Sequence, residues 1–508
     1  MEYLLTNAQM READEYTINE IGVPSLTLME RAGVALAREA EILLDLRGKR
    51  IRERVLCVCG GGNNGGDGFV CARILREKGV EADVVFFATR TSPDCAINKE
   101  KYLQIGGKII KEVPALGYAV VVDCLLGTGF HGELSDEYAR AVDGVNALKQ
   151  AGAKVLSADI PSGVNGDNGE VLKGVIADKT LCIGEKKAGV YLSDGVDYSG
   201  EVLREDIGIC LPKTEEYAQI LDEEWAKNVL PVRKRHSHKG TFGKVAIVAG
   251  CKAYTGAALL AVGGCLRAGA GYTTLFTPAE MLPYYIGKYP EVLLREICKG
   301  EDYYFDEERL EELLAYDVVA YGSGMGCTRE TAKGATYLLQ NYAGKLVLDA
   351  DGLNALAKYK QASLARLFAN KKCTAIITPH IKEFSRLSGD EPSKILAGGL
   401  SAPVAFSKQH GVTVLLKNAI TLIAQGEKVY VNTAGTSGQA KGGSGDVLTG
   451  VIAGLCACGV STFNAGALGA YLTGRAAVLA TKKYGEYSLT PTDVVSHMPL
   501  AFLEIAQK

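Results

Sequence analysis

The sequence predicts an α/β protein made of two different domains. Short Val- and Ile-rich runs alternate with amphipathic stretches, which is the pattern of parallel strands whose sheet is covered by helices on both faces. This alternation lapses after residue 211 and restarts after residue 238, and the two halves share no obvious repeat. The 508 residues are enough for about two to four domains.

The strands predicted in the first half are nearly continuous in apolar residues, and each ends in a Gly-rich or polar turn. They are RVLCVCG (54–60), ADVVFFA (82–88), AVVVDCLLG (119–127), KVLSADIPSG (154–163) and TLCIG (180–184). Such runs favour a parallel sheet that is buried on both faces.

The domain junction is predicted where the alternation lapses, in a polar segment bounded by Pro212 and Pro231. We expect a first domain at 1–211, a linker at 212–237 and a second domain at 238–508. The linker is expected to contain a short helix, with the single tryptophan, Trp225, packed on a domain surface. The basic cluster RKRHSHKG (233–240) is interpreted as solvated.

The second half repeats the strand–helix alternation and ends in three long helices, predicted at 443–459, 463–483 and 491–507. Two closely spaced strands within 374–432 predict an antiparallel edge. The strands are KVAIVAG (244–250), YTTLFT (272–277), DVVAYGS (317–323), KLVLDADG (345–352), TAIITPH (374–380), VTVLLK (412–417), TLIA (421–424) and VYVN (429–432).

Composition and charge disfavour several functional classes. A net charge of −3 without a long basic run disfavours nucleic acid as a partner. The fourteen cysteines have no metal-ligand spacing, and the C-x-C pairs Cys57/Cys59 and Cys456/Cys458 are interpreted as neighbours on a strand or helix face. Unpatterned cysteines, an N-terminus without a signal-peptide layout and no long apolar segment lead us to expect a cytoplasmic protein without a membrane partner.

The turn after the first strand carries the first candidate site. Gly60, Gly62 and Gly65 satisfy the dinucleotide fingerprint G-x-G-x-x-G, and Glu81 or Asp83 lies about 20 residues on, where a ribose-binding acid is expected. Asn63, Asn64 and Asp67 add polar groups that the fingerprint does not require. Glycines let a ligand approach the backbone, so we interpret the turn as a binding site; a merely tight strand–helix turn is the alternative.

Polar residues also lie at the ends of later strands of the first half. Asp123 follows an apolar run, the turn LLGTGFHGE (125–133) contains His131 and Glu133, and the next strand ends with Asp159 and Ser162. Because ligands bind at the carboxyl ends of parallel strands, these residues predict a shared crevice. A turn-forming role remains the alternative for Asp123 alone.

Four ordered motifs of the first half resemble the NAD(P)H-hydrate epimerase domain, from about residue 7 to 208: LMERAG (28–33), GNNGGDGFV (62–70), VVDCLLGTGFHGE (121–133) and ADIPSGVNGDNG (158–169). The resemblance implies a Rossmann-like fold and acid–base catalysis by Asp159 at the carbinolamine carbon of the substrate. It implies potassium binding by Asn64, Asp123 and Ser162, since a hard cation prefers oxygen ligands. The implied substrate contacts are Asn63, Asn64, Gly65, Gly66, Asp67, Gly127, Thr128, Gly129, Phe130, His131, Gly132, Glu133 and Asp159.

The segment GGSGDVLTG (442–450) carries the second candidate site. It lacks the lysine of a P-loop, but residues 442–445 can form a nest of N–H groups at a helix N-terminus, where negative phosphoryl charge is stabilised. Asp446 follows in the first helical turn and can take the proton of a hydroxyl that receives the phosphoryl group. A close-packed helix start with Asp446 as a cap is the alternative.

The motif G-x-G-D before a long helix resembles the ribokinase-like superfamily, which implies a three-layer α/β/α domain. Seven ordered motifs narrow the resemblance to the NAD(P)H-hydrate dehydratase domain, from about residue 238: HKGTFGKVAIVAG, YTGAALLA, GSGMG, LDADGLN, TPHIKEFSRL, LLKNAITLIA and GGSGDVLTG. The implied substrate contacts are Ala258, Gly324, His380 and Asp446. The implied nucleotide contacts are Lys417, Asn418, Ala419, Ile420, Thr421 and Gly445.

The second half departs from the dehydratase pattern at Asn418 and Lys382, where the family usually has Gly. Both positions lie on predicted loops and concern the nucleotide contacts more than the reaction. Asp349, Asp351 and Glu383 are candidate carboxylates for magnesium. Lys441 either adds charge near the phosphates or is solvated.

Together the two resemblances imply a bifunctional repair enzyme that epimerises the R and S forms of hydrated NAD(P)H. It then dehydrates the S form with ADP or ATP through phosphorylation of the C6 hydroxyl. The alternative is a kinase of a small vitamin-type alcohol with a non-catalytic dinucleotide-binding N-terminal module. A homo-oligomer formed through LMERAG is also implied, although an apolar helix face can equally pack within the chain. The preferences between ADP and ATP and between the two hydrates stay open.

Overall fold

The computed structural model describes residues 2–45, 54–213, 216–300, 302–360 and 363–506. The chain divides into two compact units. The N-terminal unit comprises Glu2–Tyr217 with Leu396–Gly399, and the C-terminal unit comprises Ala218–Ile395 with Leu400–Lys508. Among the described residues, no helix is both long and apolar enough to cross a bilayer.

The N-terminal unit alternates strands with helices. Its helices are α1 (Asn7–Asn19), α2 (Ser25–Asp45), α3 (Asn63–Glu77), α4 (Pro93–Gln104), α5 (Asp136–Gln150) and α6 (Gly195–Ser199). Its strands are β1 (Glu2–Leu5), β2 (Val55–Gly60), β3 (Ala82–Phe87), β4 (Lys108–Ile110), β5 (Val120–Cys124), β6 (Lys154–Ala158), β7 (Lys179–Ile183), β8 (Lys186–Lys187) and β9 (Glu201–Glu205).

A seven-stranded sheet in the order β4-β3-β2-β5-β6-β7-β9 forms the centre of this unit, and its described pairings are parallel. Alternate residues of β2 enter two different cores: Val55, Cys57 and Cys59 pack with α2, α3 and α4, whereas Leu56 and Val58 pack with α5. Both faces are therefore covered, which confirms the predicted parallel sheet. The pair Cys57/Cys59 lies on one strand face, as expected.

The order of the strands reverses between β2 and β5, because the chain adds β3 and β4 on one side and β5 to β7 on the other. Such a reversal opens a crevice at the carboxyl ends of the two central strands, and this is where open α/β sheets bind ligands. The turn after β2 and the end of β5 therefore share the position that favours a ligand site.

The ribose-binding role considered for Glu81 and Asp83 is wrong. Asp83 aligns with Leu56 near the start of β2, whereas the glycine turn follows the other end of the strand at Gly60. Four residues of strand separate the two levels by about 13 Å. Asp83 instead pairs with Arg54, and Glu81 lies 3.3 Å from the same guanidinium group.

The C-terminal unit is a second α/β fold. Its strands are β10 (Ala218–Ile220), β11 (Lys244–Val248), β12 (Tyr272–Pro278), β13 (Leu293–Cys298), β14 (Val318–Tyr321), β15 (Lys345–Leu348), β16 (Thr374–Ile377), β17 (Thr413–Leu416), β18 (Thr421–Gln425) and β19 (Lys428–Asn432). Its helices are α7 (Glu223–Val229), α8 (Thr255–Arg267), α9 (Leu282–Tyr285), α10 (Glu307–Leu313), α11 (Arg329–Asn341), α12 (Ala350–Lys360), α13 (Leu364–Ala369), α14 (Ile381–Ser388), α15 (Pro392–Ala397), α16 (Ser401–His410), α17 (Ser444–Ala457), α18 (Thr462–Ser488) and α19 (Pro491–Ala506).

The strands of this unit follow the order β13-β12-β11-β14-β15-β16-β17-β18-β19-β10. Pairing is parallel from β13 to β17 and antiparallel from β17 to β19. The predicted antiparallel strands are thus present, but they do not form an edge, because β10 pairs with β19 in parallel. Helices α8, α17, α18 and α19 pack on one face of the sheet, and the alternate residues Ala246, Val248 and Leu348 are equally buried on the other.

The segment expected to be a linker contains regular structure, because both β10 and α7 lie within residues 212–237. Trp225 on α7 is buried in the core of the C-terminal unit. Its ring meets that of Tyr430 edge-on, at 5.0 Å between centroids. The tryptophan therefore reports on the packing of this unit.

Candidate functional sites

The glycine turn after β2 is tight, and its shape depends on Gly65. A Cβ atom at Gly65 would lie 1.8 Å from the carbonyl oxygen of Gly60, so no larger residue fits there. Helix α3 then begins at Asn63, behind an N-cap glycine, Gly62, that offers no side chain to its first-turn N–H groups. Asn63 is exposed, while Gly65, Gly66 and Asp67 are buried.

The three residues expected to bind potassium meet around Leu126. The Asn64 amide nitrogen donates to the Leu126 carbonyl at 2.8 Å. The Ser162 hydroxyl accepts from the Leu126 N–H at 3.0 Å and donates to Asp123 Oδ1 at 2.6 Å. The structure thus brings together three oxygen-bearing side chains from the ends of β2, β5 and β6.

Two properties of this cluster fit a cation. Within the described part of the chain, the buried Oδ1 atom of Asn64 has no hydrogen-bond partner. Asp123 is fully buried; burial raises the pKa of its carboxyl group, although hydrogen bonds from Ser162 oppose the rise. An unpaired acceptor beside a buried carboxyl group is costly unless a ligand satisfies it.

The loop from Gly127 to Glu133 follows β5 beside this cluster. Gly127 packs on Asn64, since a Cβ atom at Gly127 would lie 3.4 Å from the Asn64 Cβ atom. Thr128 and Phe130 are half-buried, whereas Gly129, His131, Gly132 and Glu133 are exposed. The predicted substrate loop is thus placed at the crevice, with its second half open to solvent.

Asp159 follows β6 with a backbone φ of 67°, in the left-handed region that non-glycine residues rarely adopt. Its Oδ1 atom accepts from the Ile183 N–H at 3.0 Å and from the ammonium group of Lys187. Lys187 is almost fully buried and also donates to the Ile183 carbonyl at 2.6 Å. The expected catalytic carboxylate is therefore held by a buried ion pair that the sequence did not reveal.

Two further carboxyl groups interact with this ion pair. Burial raises the pKa of Asp14 on α1 to about 6; Lys187 opposes this rise and Asp159 adds to it. Burial, followed by repulsion from Asp159 and Asp14, raises the pKa of Asp67 well above its usual range. Carboxyl groups with such different surroundings can serve as proton donor and proton acceptor in one site.

The motif LMERAG lies on α2 and packs inside the N-terminal unit. Leu28, Met29 and Ala32 are buried, and a Cβ atom at Gly33 would lie 2.3 Å from the Cβ atom of Val70 on α3. The apolar face of this motif thus serves the contact between α2 and α3.

The carboxyl ends of the parallel strands in the C-terminal unit bring a second group of polar residues together. Asp349 follows β15 and is buried. Its Oδ1 atom accepts from the Lys417 ammonium group at 2.8 Å, and its Oδ2 atom accepts from the Thr449 hydroxyl at 2.8 Å. Both oxygens of Asp349 are therefore engaged, and Lys417 is fixed at the end of β17.

Asp446 lies in the first turn of α17, next to this ion pair. Burial, together with the neighbouring Asp349, raises the pKa of Asp446 to about 6, although Ser323 and Lys417 oppose the rise. Burial by itself lowers the pKa of Lys417, but Asp349 and Glu383 outweigh it and the net pKa is raised. A basic carboxylate thus lies beside a firmly charged ammonium group, as proton removal during phosphoryl transfer requires.

Gly445 lies close to the ion pair of Lys417 and Asp349. A Cβ atom at Gly445 would lie 3.1 Å from Lys417 Nζ and 3.7 Å from Asp349 Oδ2. The N-cap of α17 is Gly443, with a φ of 99°. Glycine has no side chain, so the N-cap residue offers no acceptor to the first-turn N–H groups. The turn from Lys417 to Thr421 links β17 to β18, and Asn418 and Ala419 within it are exposed.

Two of the residues expected to contact the substrate, His380 and Gly324, follow strands, and a third, Ala258, lies on a helix. His380 pairs with Lys417 in a parallel bridge, and its Nδ1 atom accepts from the Glu383 N–H at 3.2 Å, which caps α14. Gly324 follows β14 with φ of 61°, and a Cβ atom there would lie 2.8 Å from the Tyr254 Cβ atom. Ala258 is fully buried on α8, beneath Gly250.

Lys441 is exposed, as the solvated alternative predicted. Its ammonium group donates to the carbonyls of Tyr487, at 2.7 Å, and Leu489, so it fastens the glycine segment to the end of α18. No set of three or more His, Cys, Asp or Glu side chains in the described ranges is arranged to hold a metal ion. Asp351 is half-buried, and loss of solvation raises its pKa. Its Oδ2 atom accepts from the Gly326 N–H at 2.8 Å, which opposes this rise.

Four side chains at the two candidate sites were not predicted from the sequence: Asp14, Lys187, Ser323 and Thr449. Ser323 and Thr449 lie inside recognised motifs, GSGMG and GGSGDVLTG, and Thr449 follows Asp446 by three residues, so helical spacing could have predicted it. Asp14 and Lys187 lie outside the motifs, and their roles come from contacts between distant segments.

Comparisons with known proteins match the two halves of the chain to two different family models. Residues 25–189 match the family model of the YjeF-related protein N-terminus, and residues 245–500 match that of NAD(P)H-hydrate dehydratase. The chain is 34% identical to the bifunctional NAD(P)H-hydrate repair enzyme Nnr of Thermofilum pendens, over 97% of this chain and 95% of that protein. It is 33% identical to the enzyme of the same name from Moorella thermoacetica, over 100% of this chain and 98% of that protein.

Two solved structures resemble the dehydratase-like part of the chain. The ADP/ATP-dependent NAD(P)H-hydrate dehydratase from Bacillus subtilis, crystallised with ATP and Mg²⁺, is 25% identical with a TM-score of 0.50. It covers 57% of this chain and 99% of its own. A protein from Streptococcus mutans is 30% identical with a TM-score of 0.50, and covers 57% of this chain and 100% of its own.

Proposed function

We infer the chemistry of the two units from one premise: this chain belongs to the family of bifunctional NAD(P)H-hydrate repair enzymes. It combines an epimerase domain with a dehydratase domain and acts on small molecules, hydrated NAD(P)H and an adenine nucleotide. We propose the N-terminal unit as the seat of epimerisation and the C-terminal unit as the seat of dehydration, close to the predicted domains 1–211 and 238–508.

In the epimerase site, Asp159 is proposed to exchange protons at C6 of the hydrated nicotinamide ring. The C6 carbon bears a hydroxyl group beside a ring nitrogen, so water can leave with help from the nitrogen lone pair and return on the other face. The loop from Gly127 to Glu133 and the turn from Asn63 to Asp67 are proposed to hold the dinucleotide. Asp159, on its strained backbone between them, takes the proton of the entering water.

A potassium ion fits the cluster of Asn64, Asp123 and Ser162. The unpaired Oδ1 atom of Asn64 is an acceptor that such an ion would satisfy, and oxygen atoms suit a hard cation. When bound, the ion would supply fixed positive charge at the end of β5 beside the substrate loop. The protein residues contribute by holding that loop at the carboxyl ends of β2 and β5.

In the dehydratase site, Asp446 is proposed to take the proton from the C6 hydroxyl of the substrate. The hydroxyl oxygen at C6 then receives the terminal phosphoryl group of ADP or ATP. Hydroxide leaves poorly, whereas phosphate leaves readily. The C6–O bond then breaks with its electrons on the phosphate, the ring nitrogen supplies a lone pair, and loss of a C5 proton restores the dihydronicotinamide ring.

The nucleotide is proposed to lie along the turn from Lys417 to Thr421. The N-terminus of α17 at Gly445 and the ammonium group of Lys417 are placed to stabilise the phosphoryl charge. The described side chains do not form a three-ligand magnesium site. We therefore expect magnesium to arrive on the phosphates, and we assign no step to Asp349, Asp351 or Glu383 as its ligands.

The observation that carries the proposal is the position of Asp446 in the first turn of α17, next to Gly445 and the Lys417–Asp349 ion pair. The test incubates the protein with NADH hydrate and ADP or ATP and follows reduced cofactor and free phosphate. Equimolar recovery of both is expected, and Asp446→Asn should abolish both. A stable phosphorylated alcohol formed from a vitamin-like substrate, without cofactor recovery, would support the kinase alternative instead.

The homo-oligomer and the cytoplasmic location stay predictions. The packing of LMERAG within α2 and α3 leaves Val34 and Ile42 of α2 exposed, at 44% and 41%. These two are the large apolar side chains of α2 that are exposed and could contact a second copy. Sedimentation of the wild type against Val34→Glu would test it: a lower mass for the variant supports the oligomer, and identical masses exclude this face.

A further inference from the structure

Lys187 is a buried cation for which the proposed reactions have no role. Its side chain is almost completely shielded from solvent, and its ammonium group donates to Asp159 Oδ1 and, at 2.6 Å, to the Ile183 carbonyl. Asp159 itself retains 14% side-chain exposure. The carboxylate thus reaches the crevice while the cation behind it does not.

The bonds to Asp159 are asymmetric. Its Oδ1 atom accepts from both Lys187 and the Ile183 N–H, whereas no described residue donates a hydrogen bond to Oδ2. The backbone of Asp159 is also fixed, since its N–H donates to the Leu181 carbonyl at 2.8 Å. A left-handed φ of 67° costs about 1–2 kcal/mol and persists only where surrounding contacts impose it.

Several carboxyl groups lie near the Lys187–Asp159 pair. Asp14 and Glu15 of α1, Asp67 of α3 and Glu185 of the turn between β7 and β8 all interact with the Lys187–Asp159 pair or with each other. Burial raises the pKa of Asp14 to about 6 and that of Asp67 well above its usual range. Asp159 is the carboxylate that has the direct contact with the ammonium group.

We propose that Lys187 is the positioning residue of the epimerase site: its ammonium group holds Oδ1 of Asp159 and leaves Oδ2 free to exchange a proton with the water at C6. This inference rests on the proposed function. Without the ammonium group, the buried charge on Asp159 would lose its counter-ion, and a nearby cation typically moves the ionisation of a carboxyl group by about 1–3 pH units.

The experiment compares full-length wild type, Lys187→Met, Lys187→Arg and Lys186→Met. Lys186 is a matched control, because it is also buried but pairs with Glu2 at 2.7 Å instead of Asp159. Epimer exchange is followed by chromatography of the R and S forms of NADH hydrate from pH 5 to 9, without nucleotide, so that dehydration does not contribute. Circular dichroism and thermal unfolding of each full-length variant then report on its fold.

For Lys187→Met we expect the turnover number at pH 7 to fall about tenfold or more, with a smaller change in KM. The acidic limb of its pH–rate profile should move upward by about one pH unit or more. Lys187→Arg should keep the limb near that of the wild type, and Lys186→Met should match the wild type. A limb in Lys187→Met that coincides with the wild type overturns the inference.

Two outcomes separate this inference from the proposed function. If the wild type does not exchange the epimers, the proposed epimerase reaction fails. If the wild type is active and Lys187→Met retains its turnover and profile, only the role of Lys187 fails. Should Lys187→Met lose its fold, Lys187→Arg still decides, because an acidic limb displaced as far as one pH unit despite the retained charge contradicts the proposal.

Discussion

Replacing Asp446 by Asn removes a carboxylate that is costly to keep charged and that the proposed dehydration requires. The side chain keeps its size, so the change isolates the charge. Burial and the neighbouring Asp349 raise the pKa of Asp446 from 3.8 to about 6 in the folded protein. We therefore expect this variant to be inactive in dehydration and more stable than the wild type at alkaline pH.

The magnitude follows from the difference in proton affinity between the folded and unfolded states. A raised folded-state pKa means that the folded protein binds the proton more tightly, so stability is lost as the pH rises from the unfolded pKa, 3.8, to the folded pKa, about 6, and stays constant above it. A shift from 3.8 to about 6 corresponds to about 3 kcal/mol at pH 8 and about 1 kcal/mol at pH 4.5. The advantage of Asp446→Asn should therefore grow as the pH rises from 3.8 to about 6.

Urea unfolding followed by the fluorescence of Trp225 measures this effect in the C-terminal unit, because the single tryptophan is buried in its core. Asp390→Asn serves as the control, since Asp390 is partly exposed and forms a surface ion pair with Lys394. Loss of a general base typically lowers the rate about 10²–10⁴-fold. An Asp446→Asn protein within tenfold of wild-type dehydration, or one with no pH-dependent gain in stability relative to Asp390→Asn, refutes the reasoning.

Three further predictions concern the two sites. Gly445→Ala should impair dehydration because its Cβ atom would lie 3.1 Å from Lys417 Nζ. Gly442→Ala should not impair it, because no atom lies within contact distance of the Cβ position there. The kcat and the KM for the nucleotide distinguish the two variants, and equal activities would contradict the expected crowding. Lys417→Met should lower the free energy of unfolding by about 3–5 kcal/mol, because Asp349 is left as a buried, unpaired charge; urea unfolding measures it, and an unchanged midpoint would count against the ion pair. Asn64→Ala should remove any potassium dependence of epimer exchange while leaving dehydration unchanged, and retention of that dependence would place the ion elsewhere.

Much of both candidate sites could be predicted from the sequence because their residues lie at the ends of strands or in the first turn of a helix. Asp123, Asp159 and Asp446 each follow a glycine-rich or apolar segment whose local pattern fixes where the strand or helix ends. In parallel sheets, such ends lie on one edge, so local patterns predicted a crevice shared by Asp123, Asp159 and Ser162. That Asn64 joins Asp123 and Ser162 was implied by the family resemblance.

Features that depend on register or on contacts between distant segments could not be predicted. The acids Glu81 and Asp83 lie at the right spacing from the glycine turn, but strand register places them at the opposite end of the sheet. Lys441 lies next to the glycine nest, yet it bonds carbonyls about 50 residues further on. The ion pair of Lys187 with Asp159 depends on how β8 follows β7, which no sequence spacing reveals.

The most direct test of the account gives a mixture of R and S NADH hydrate and ADP to three full-length proteins and measures the fraction of reduced cofactor recovered. The wild type should recover both epimers. Asp159→Asn should stop when the S form is exhausted, apart from slow spontaneous exchange, and Asp446→Asn should recover almost none in the time that the wild type needs. Complete and rapid recovery by Asp159→Asn, or recovery by Asp446→Asn within tenfold of the wild-type rate, would contradict the division of the repair reaction between these two carboxylates.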